Sequence, residues 1–115
     1  MPYFMIETNR PLDAARTAAV ARRASARVAA LVGKDERWVM VSVRPDTTML
    51  FAGSDAPCAY LRLTSIGLAA SDGEALSAAL CRFAADELAV PEDRVYLELS
   101  GPDPALWGWN GGTFG

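Results

Sequence analysis

The sequence predicts an α+β fold in which a duplicated β-α-β unit forms a four-stranded sheet with two helices on one face. Two segments repeat apolar residues at the spacing of an amphipathic helix, and four short segments have the apolar content of strands. An acidic residue followed by arginine precedes a predicted strand at Glu36-Arg37 and again, 57 residues later, at Asp93-Arg94. Right-handed crossovers would then place both helices on the same face of one sheet.

The first half of the chain is predicted to contain a strand, a helix and a second strand. In the helix, apolar residues recur at every third or fourth position, and Gly33 follows the last of them as a helix-ending glycine. Four arginines of this helix are expected on its outer, solvated face: Arg16, Arg22, Arg23 and Arg27. In chain order we expect a strand at 2–7, the helix at 12–32, a strand at 38–44, and a loop or short strand at 47–57.

The second half repeats this order and adds an aromatic tail. Ser71-Asp72-Gly73-Glu74 has the spacing of a capping box, so a second helix is predicted there. Its apolar stripe is Leu76, Leu80, Phe83, Ala84 and Leu88. In chain order we expect a strand at 59–65, this helix, a strand at 95–100, and a packed tail at 106–115. The chain is therefore predicted to be one domain, 1–115, with pseudo-repeat halves of about 1–57 and 58–115.

Alternation along the strands predicts two faces of different character. The side chains expected to face the helices are Val39, Val41, Val43, Val95, Leu97 and Leu99. Those expected on the opposite face are Trp38, Met40, Ser42, Arg44, Tyr96 and Glu98. Because this second set is too apolar for water and two helices cannot cover both faces, we expect copies of the same chain to cover it in a closed oligomer. A solvated face with scattered aromatic residues is the alternative.

The composition argues against several classes of function. The net charge is −3, with no basic cluster to attract nucleic acid or an anionic membrane. No apolar run reaches the roughly 18 residues of a membrane span and no signal peptide is recognisable, so a cytoplasmic protein is expected. Without histidine, and with Cys58 and Cys81 in no CxxC spacing, the chain offers neither a zinc site nor a Ser-His-Asp triad. We expect two buried free thiols, no metal and no cofactor.

The N-terminal Met1-Pro2 offers a base that the side chains lack. Proline is small enough for an aminopeptidase to remove Met1, and this would leave Pro2 as a free secondary amine at the start of a strand. An α-amino group has an unperturbed pKa of about 7.7 to 8.0, so it can take the place of the absent histidine near neutrality. The alternative is that Met-Pro is simply a common chain start.

Short motifs are spread along the chain in a specific order and spacing. They are Met1-Pro2 with Thr8-Asn9, Gly33-Lys34, Val43-Arg44-Pro45-Asp46, the run Phe51 to Cys58, Ser65-Ile66-Gly67, Asp93-Arg94-Val95-Tyr96, and Gly108-Trp109-Asn110 with Thr113-Phe114. Together they resemble the macrophage migration inhibitory factor family of the tautomerase superfamily, from end to end of the chain. The resemblance implies a homotrimer whose sheets surround a central channel, with three active sites at subunit boundaries.

The resemblance also implies a reaction, the keto-enol tautomerisation of α-keto acids such as phenylpyruvate, with Pro2 as general base. Lys34 is the only lysine in the chain and would bind the substrate carboxylate together with the backbone N–H of Ile66. Its position directly after Gly33 also suits an ordinary lysine at a helix C-terminus. An amine in an apolar pocket beside a cation has a lowered pKa, which suits a base that works near neutrality.

Aromatic residues complete the site that the resemblance implies. Tyr96 would come from the neighbouring subunit, although a tyrosine in a packed interface needs no such role. Trp109 and Phe114 would form the aromatic wall of the pocket, and ordinary packing of the C-terminal tail is the alternative for both.

Four positions depart from the family pattern. Glu98 stands where animal members have asparagine, and its carboxylate could repel an acidic substrate, raise the pKa of Pro2, or act as a second acid or base. Tyr3 replaces a methionine and Trp107 a valine, which would narrow the mouth of the pocket. Leu61 stands where the second cysteine of a CxxC motif would be, so a thiol-disulfide oxidoreductase function does not carry over.

Two other functions stay open at this point. One is a cytokine-like signalling or interaction protein with a vestigial pocket, whose receptor the sequence does not identify and which could leave the cell by an unconventional route. The other is a hydratase or decarboxylase of the same superfamily in which Glu98 activates water. The small aromatic α-keto acid remains the expected substrate and the homotrimer the expected assembly.

Overall fold

The computed structural model describes all of residues 1–115 and contains a four-stranded sheet with two helices packed on one face. The main elements are strand β1 at Pro2–Thr8, helix α1 at Ala14–Val32, β2 at Met40–Arg44, β3 at Ala59–Ser65, α2 at Gly73–Leu88 and β4 at Val95–Ser100. A short hairpin near the end of the chain consists of β5 at Gly108–Trp109 and β6 at Gly112–Thr113.

The strands are ordered β2-β1-β3-β4 across the sheet. β1 is parallel to β2, β3 is parallel to β4, and the central pair β1 and β3 is antiparallel. Each parallel pair is therefore joined through a helix, as parallel neighbours require. The predicted α+β class with two β-α-β units in one sheet is confirmed.

Helix α1 is bounded by two local signals in the sequence. The carboxylate of Asp13 accepts a hydrogen bond from the Arg16 N–H at 2.8 Å, so the helix begins at Ala14 rather than at the predicted residue 12. At the other end, Gly33 adopts a φ of 66°, the left-handed conformation that glycine reaches without strain, and its N–H bonds the Ala29 carbonyl. The four arginines of α1 are exposed, as predicted.

We predict that Asp13→Ala lowers the free energy of unfolding by about 1 kcal/mol, because an N–H in the first turn of α1 loses its partner. Urea denaturation at a fixed protein concentration measures the change. Asp55→Ala is the matched control, since Asp55 lies in an exposed loop. An equal loss of stability in both variants would contradict a capping role for Asp13.

The start of α2 differs from its prediction. Residues Ala70–Asp72 form a 3-10 turn and the helix begins at Gly73, so the predicted capping box at 71–74 is wrong. The carboxylate of Asp72 instead accepts a hydrogen bond from the Ala69 N–H at 2.8 Å, outside the helix. The predicted apolar stripe of α2 is buried throughout: Leu76, Leu80, Phe83, Ala84 and Leu88.

The second strand is shorter than predicted, and one aromatic side chain therefore lies elsewhere than predicted. Glu36–Trp38 form a 3-10 turn, with the Asp35 carboxylate bonded to the Arg37 N–H at 2.9 Å. β2 consequently begins at Met40, and Trp38 is not a member of the sheet, contrary to the expectation for 38–44. This displacement brings Trp38 against the C-terminal tail.

The two faces of the sheet differ as the alternation predicts. Phe4, Ile6, Leu61 and Leu63 point toward the helices and are fully buried in the core. On the opposite face, Met40 and Tyr96 are 67% and 66% exposed, and neither helix packs over them. Both cysteines are free, but only Cys58 is buried and Cys81 is half-buried. None of the helices has the length and apolar character needed to cross a membrane.

Candidate active site

The start of β1 lies at the edge of an aromatic cavity of about 340 Å³. Met1 and Pro2 line it at one end of the sheet, next to the C-terminal tail. The other lining residues are Tyr3, Trp38, Met40, Trp107, Gly108, Trp109 and Phe114. The N-terminal residues therefore lie against apolar side chains, with Met1 half-buried.

Three aromatic rings form one wall of this cavity. The rings of Trp38 and Trp109 meet edge to face with centroids 5.0 Å apart, and Phe114 lies parallel to Trp109 at 6.2 Å. The hairpin of β5 and β6 holds the tail in place, and the Phe114 N–H donates to the carbonyl of Trp107 at 3.2 Å. Trp38 was expected on the outer face of the sheet and not in the site, because the sequence did not show that a turn precedes β2.

The N-terminal amine has a lowered pKa. In the structure this amine belongs to Met1, and partial burial is the main cause that holds its pKa below the ordinary value. The positive charge of Lys34 is the second cause, because it disfavours a second cation nearby. Lys34 directly follows Gly33 at the end of α1, and its N–H bonds the Ala29 carbonyl at 3.1 Å.

A second cavity of about 400 Å³ adjoins the same end of the sheet. Lys34 and Ile66 both line it, along with residues from the first turn of α2. Pro2 is the register partner of Ser65, so Ile66 follows directly beside the N-terminus. Pro2, Trp109 and Phe114 therefore line the first cavity, whereas Lys34 and Ile66 line the second, at the same end of the sheet.

Tyr96 and Glu98 do not reach this site within one chain. Tyr96 is opposite Tyr60, five positions along β3 from Ser65. At about 3.3 Å per residue, Tyr96 lies about 16 Å along the strand from the level of Pro2. The ring of Tyr96 instead packs against Phe51, with centroids 4.8 Å apart.

Glu98 has two partners on β3 that the sequence did not reveal. The Tyr60 hydroxyl donates a hydrogen bond to its carboxylate, and Nε of Arg62 is 3.6 Å from Oε1. The bond to Glu98 is the main cause that raises the pKa of Tyr60, so the phenol stays protonated. No cluster of three or more histidine, cysteine or acidic side chains is arranged to hold a metal ion.

The comparison with known proteins covers the whole chain. Residues 1–115 match the family described as macrophage migration inhibitory factor (MIF). The chain belongs to this family. Among curated members of the macrophage migration inhibitory factor family, the homolog from Brugia malayi is 37% identical with both chains fully covered. The protein from Meriones unguiculatus is 35% identical over 99% of each chain.

Solved structures of the macrophage migration inhibitory factor family have the same fold as this chain. The homologue from Prochlorococcus marinus superposes with a TM-score of 0.91 at 33% identity, covering 98% of this chain and 99% of that one. The protein from Trichinella spiralis gives a TM-score of 0.89 at 30% identity, covering 97% and 99% respectively. The resemblance that the motifs indicated is therefore confirmed at the level of family and fold.

Proposed function

We propose that the protein is a keto-enol tautomerase of phenylpyruvate-like α-keto acids, with the amine of Pro2 as general base after Met1 is removed. The observation that supports this most is the place of the N-terminus, which lines an aromatic cavity and where burial and the charge of Lys34 lower the pKa of the Met1 amine. A base of this kind can be neutral near neutral pH and take a proton.

The proposed reaction moves one proton within the substrate. The aromatic ring of the α-keto acid lies against Trp109 and Phe114, and its carboxylate lies between Lys34 and the Ile66 N–H. The Pro2 nitrogen takes a proton from the carbon next to the carbonyl, the C–H electron pair becomes the C=C bond, and the carbonyl π pair moves to oxygen. The proton then passes from the proline ammonium to this oxygen and gives the enol. No cofactor takes part.

The proposal includes a homotrimer, because the site is incomplete in one chain. Tyr96 and Glu98 lie on the uncovered face of the sheet, with their β3 partners Tyr60 and Arg62 five and three positions from Ser65, the partner of Pro2. A neighbouring subunit that packs on this face would bring them to a second copy's cavity. It would also cover Met40 and Tyr96, which one chain leaves two-thirds exposed.

We predict a native mass close to three times the 12.3 kDa of one chain. Size-exclusion chromatography with multi-angle light scattering measures it over a range of protein concentrations. A stable monomer at micromolar concentration would contradict the assembly. It would also leave Tyr96 and Glu98 without a role in the site.

The experiment that tests the function is a phenylpyruvate tautomerase assay on protein whose intact mass proves that Met1 is absent. Enol formation followed by ultraviolet absorbance is expected in this processed form. No turnover would refute the assignment, and unsaturated acids, followed by product analysis, would then test for hydration or decarboxylation. Loss of all three reactions would leave a binding function.

A further inference from the structure

Three side chains on the uncovered face of the sheet form a network across β3 and β4. Arg62 is the direct register partner of Glu98, so their side chains stand side by side on that face. Tyr60, two residues before Arg62, donates a hydrogen bond from its hydroxyl to the same carboxylate. Glu98 is therefore held from two positions of the neighbouring strand.

This network contributes little to the stability of the fold. The side chains of Arg62 and Glu98 are 50% and 53% exposed, and their N–O distance of 3.6 Å is long for a strong ion pair. Exposed pairs of this kind are screened by water and salt. The main effect of the network is on the charge of this face, since the positive charge of Arg62 compensates the negative charge of Glu98 and the Tyr60 phenol is neutral.

Other charges on the same face do not replace Arg62. Glu7 and Arg44 are the nearest additional charges on the face, and they stand opposite each other in the register of β1 and β2. Glu7 lies beside Tyr60, its β3 partner, and Arg44 lies on the far side of Glu7, so neither stands beside Glu98. Arg62 is thus the only cation directly paired with Glu98 across the strands.

We propose that Arg62 is a specificity-determining residue: it compensates the charge of Glu98 and so lets the site accept an anionic α-keto acid. This inference rests on the proposed function, in which Glu98 of one subunit lies at the cavity of another. Without Arg62, the carboxylate of Glu98 would face a substrate of the same sign. With Arg62 present, the Arg62–Glu98 pair that lies at the cavity has no net charge.

The test compares phenylpyruvate with its methyl ester, which lacks the negative charge. For Arg62→Gln we expect KM for phenylpyruvate to rise about fivefold at low ionic strength, while KM for the ester stays within about twofold. Raising the salt concentration to about 0.5 M should remove most of the difference, because the charges are exposed. Glu98→Gln is expected to lower KM for the acid. The double variant, neutral again, should return close to the wild-type value.

Arg82→Gln is the matched control. Arg82 pairs with Asp86 at the same N–O distance of 3.6 Å, on the exposed surface of α2 and away from the sheet face. The Arg82→Gln variant loses the same charge as Arg62→Gln. If the ratio of KM for the acid to KM for the ester changes in both variants, the effect is a general charge effect and the inference is overturned. An unchanged ratio in Arg62→Gln would also overturn it.

The two proposals fail in distinguishable ways. If the processed wild type turns over phenylpyruvate and Arg62→Gln behaves like Arg82→Gln, the charge-compensating role is wrong and the tautomerase assignment stands. If the processed wild type has no turnover on either the acid or the ester, the proposed function is wrong and the inference falls with it.

Discussion

Replacing Pro2 with glycine is expected to lower kcat/KM for phenylpyruvate by at least about a hundredfold, the smaller end of what general acid–base catalysis contributes. Glycine is also small, so Met1 is removed from both proteins and the comparison is between two processed chains. The variant keeps an N-terminal amine, but it loses the ring that fixes the nitrogen at the start of β1. What is lost is therefore the position of the base as well as its secondary amine.

Pro11→Gly is the matched control for this prediction. Pro11 is exposed and follows β1 at the other end of the strand from the cavity, so the same chemical change there should leave kcat/KM within about twofold. Protein that keeps Met1 supplies a further comparison, since its Pro2 nitrogen is an amide and cannot accept a proton. Full activity in either Pro2→Gly or the Met1-retaining protein would show that the base is another group.

Local signals made most of the fold predictable from the sequence. The 3.6-residue period of the two helices and the acid-Arg steps that recur after 57 residues fixed the element order, and the structure has that order. The wrong predictions concern the starts of α2 and β2, where two local hydrogen-bonding patterns compete. Ser71-Asp72-Gly73-Glu74 fits a capping box, yet Asp72 bonds to Ala69 instead. Trp38 belongs to a turn that is held by the Asp35 carboxylate and by the bond from the Trp38 N–H to the Asp35 carbonyl.

The site was predictable only in part, because its components depend on different kinds of information. The positions of Pro2 at the start of β1 and of Lys34 after α1 could be predicted, because the sequence marks both element ends. The partners of Glu98 could not be found, because they depend on the register of β3 against β4, and register is a long-range property of the sheet. The proposed approach of Tyr96 to the cavity of another subunit depends on an assembly of several chains, which no local motif specifies.

Replacing Lys34 with glutamine is expected to lower kcat/KM for phenylpyruvate by about 10- to 100-fold, from the loss of a charge-assisted hydrogen bond worth about 1.5–3 kcal/mol. Most of the effect should appear in KM, because the bond to the carboxylate is present in the bound substrate as well as in the transition state. For the methyl ester, which lacks the charge, the loss should be much smaller. Lys34→Arg keeps the charge and should retain more activity than Lys34→Gln.

The same variant tests the electrostatics of the N-terminus through its pH dependence. The amine must be neutral to act as a base, so kcat/KM rises with pH through its pKa. Burial and the charge of Lys34 both lower the pKa of the Met1 amine. We expect the same two causes to act on the Pro2 amine once Met1 is removed, and glutamine removes only the second cause. The pKa therefore rises in Lys34→Gln, and the rising limb of the pH profile should move to higher pH while staying at its original position in Lys34→Arg. A limb that stays in place in Lys34→Gln would mean that Lys34 binds the substrate without tuning the base.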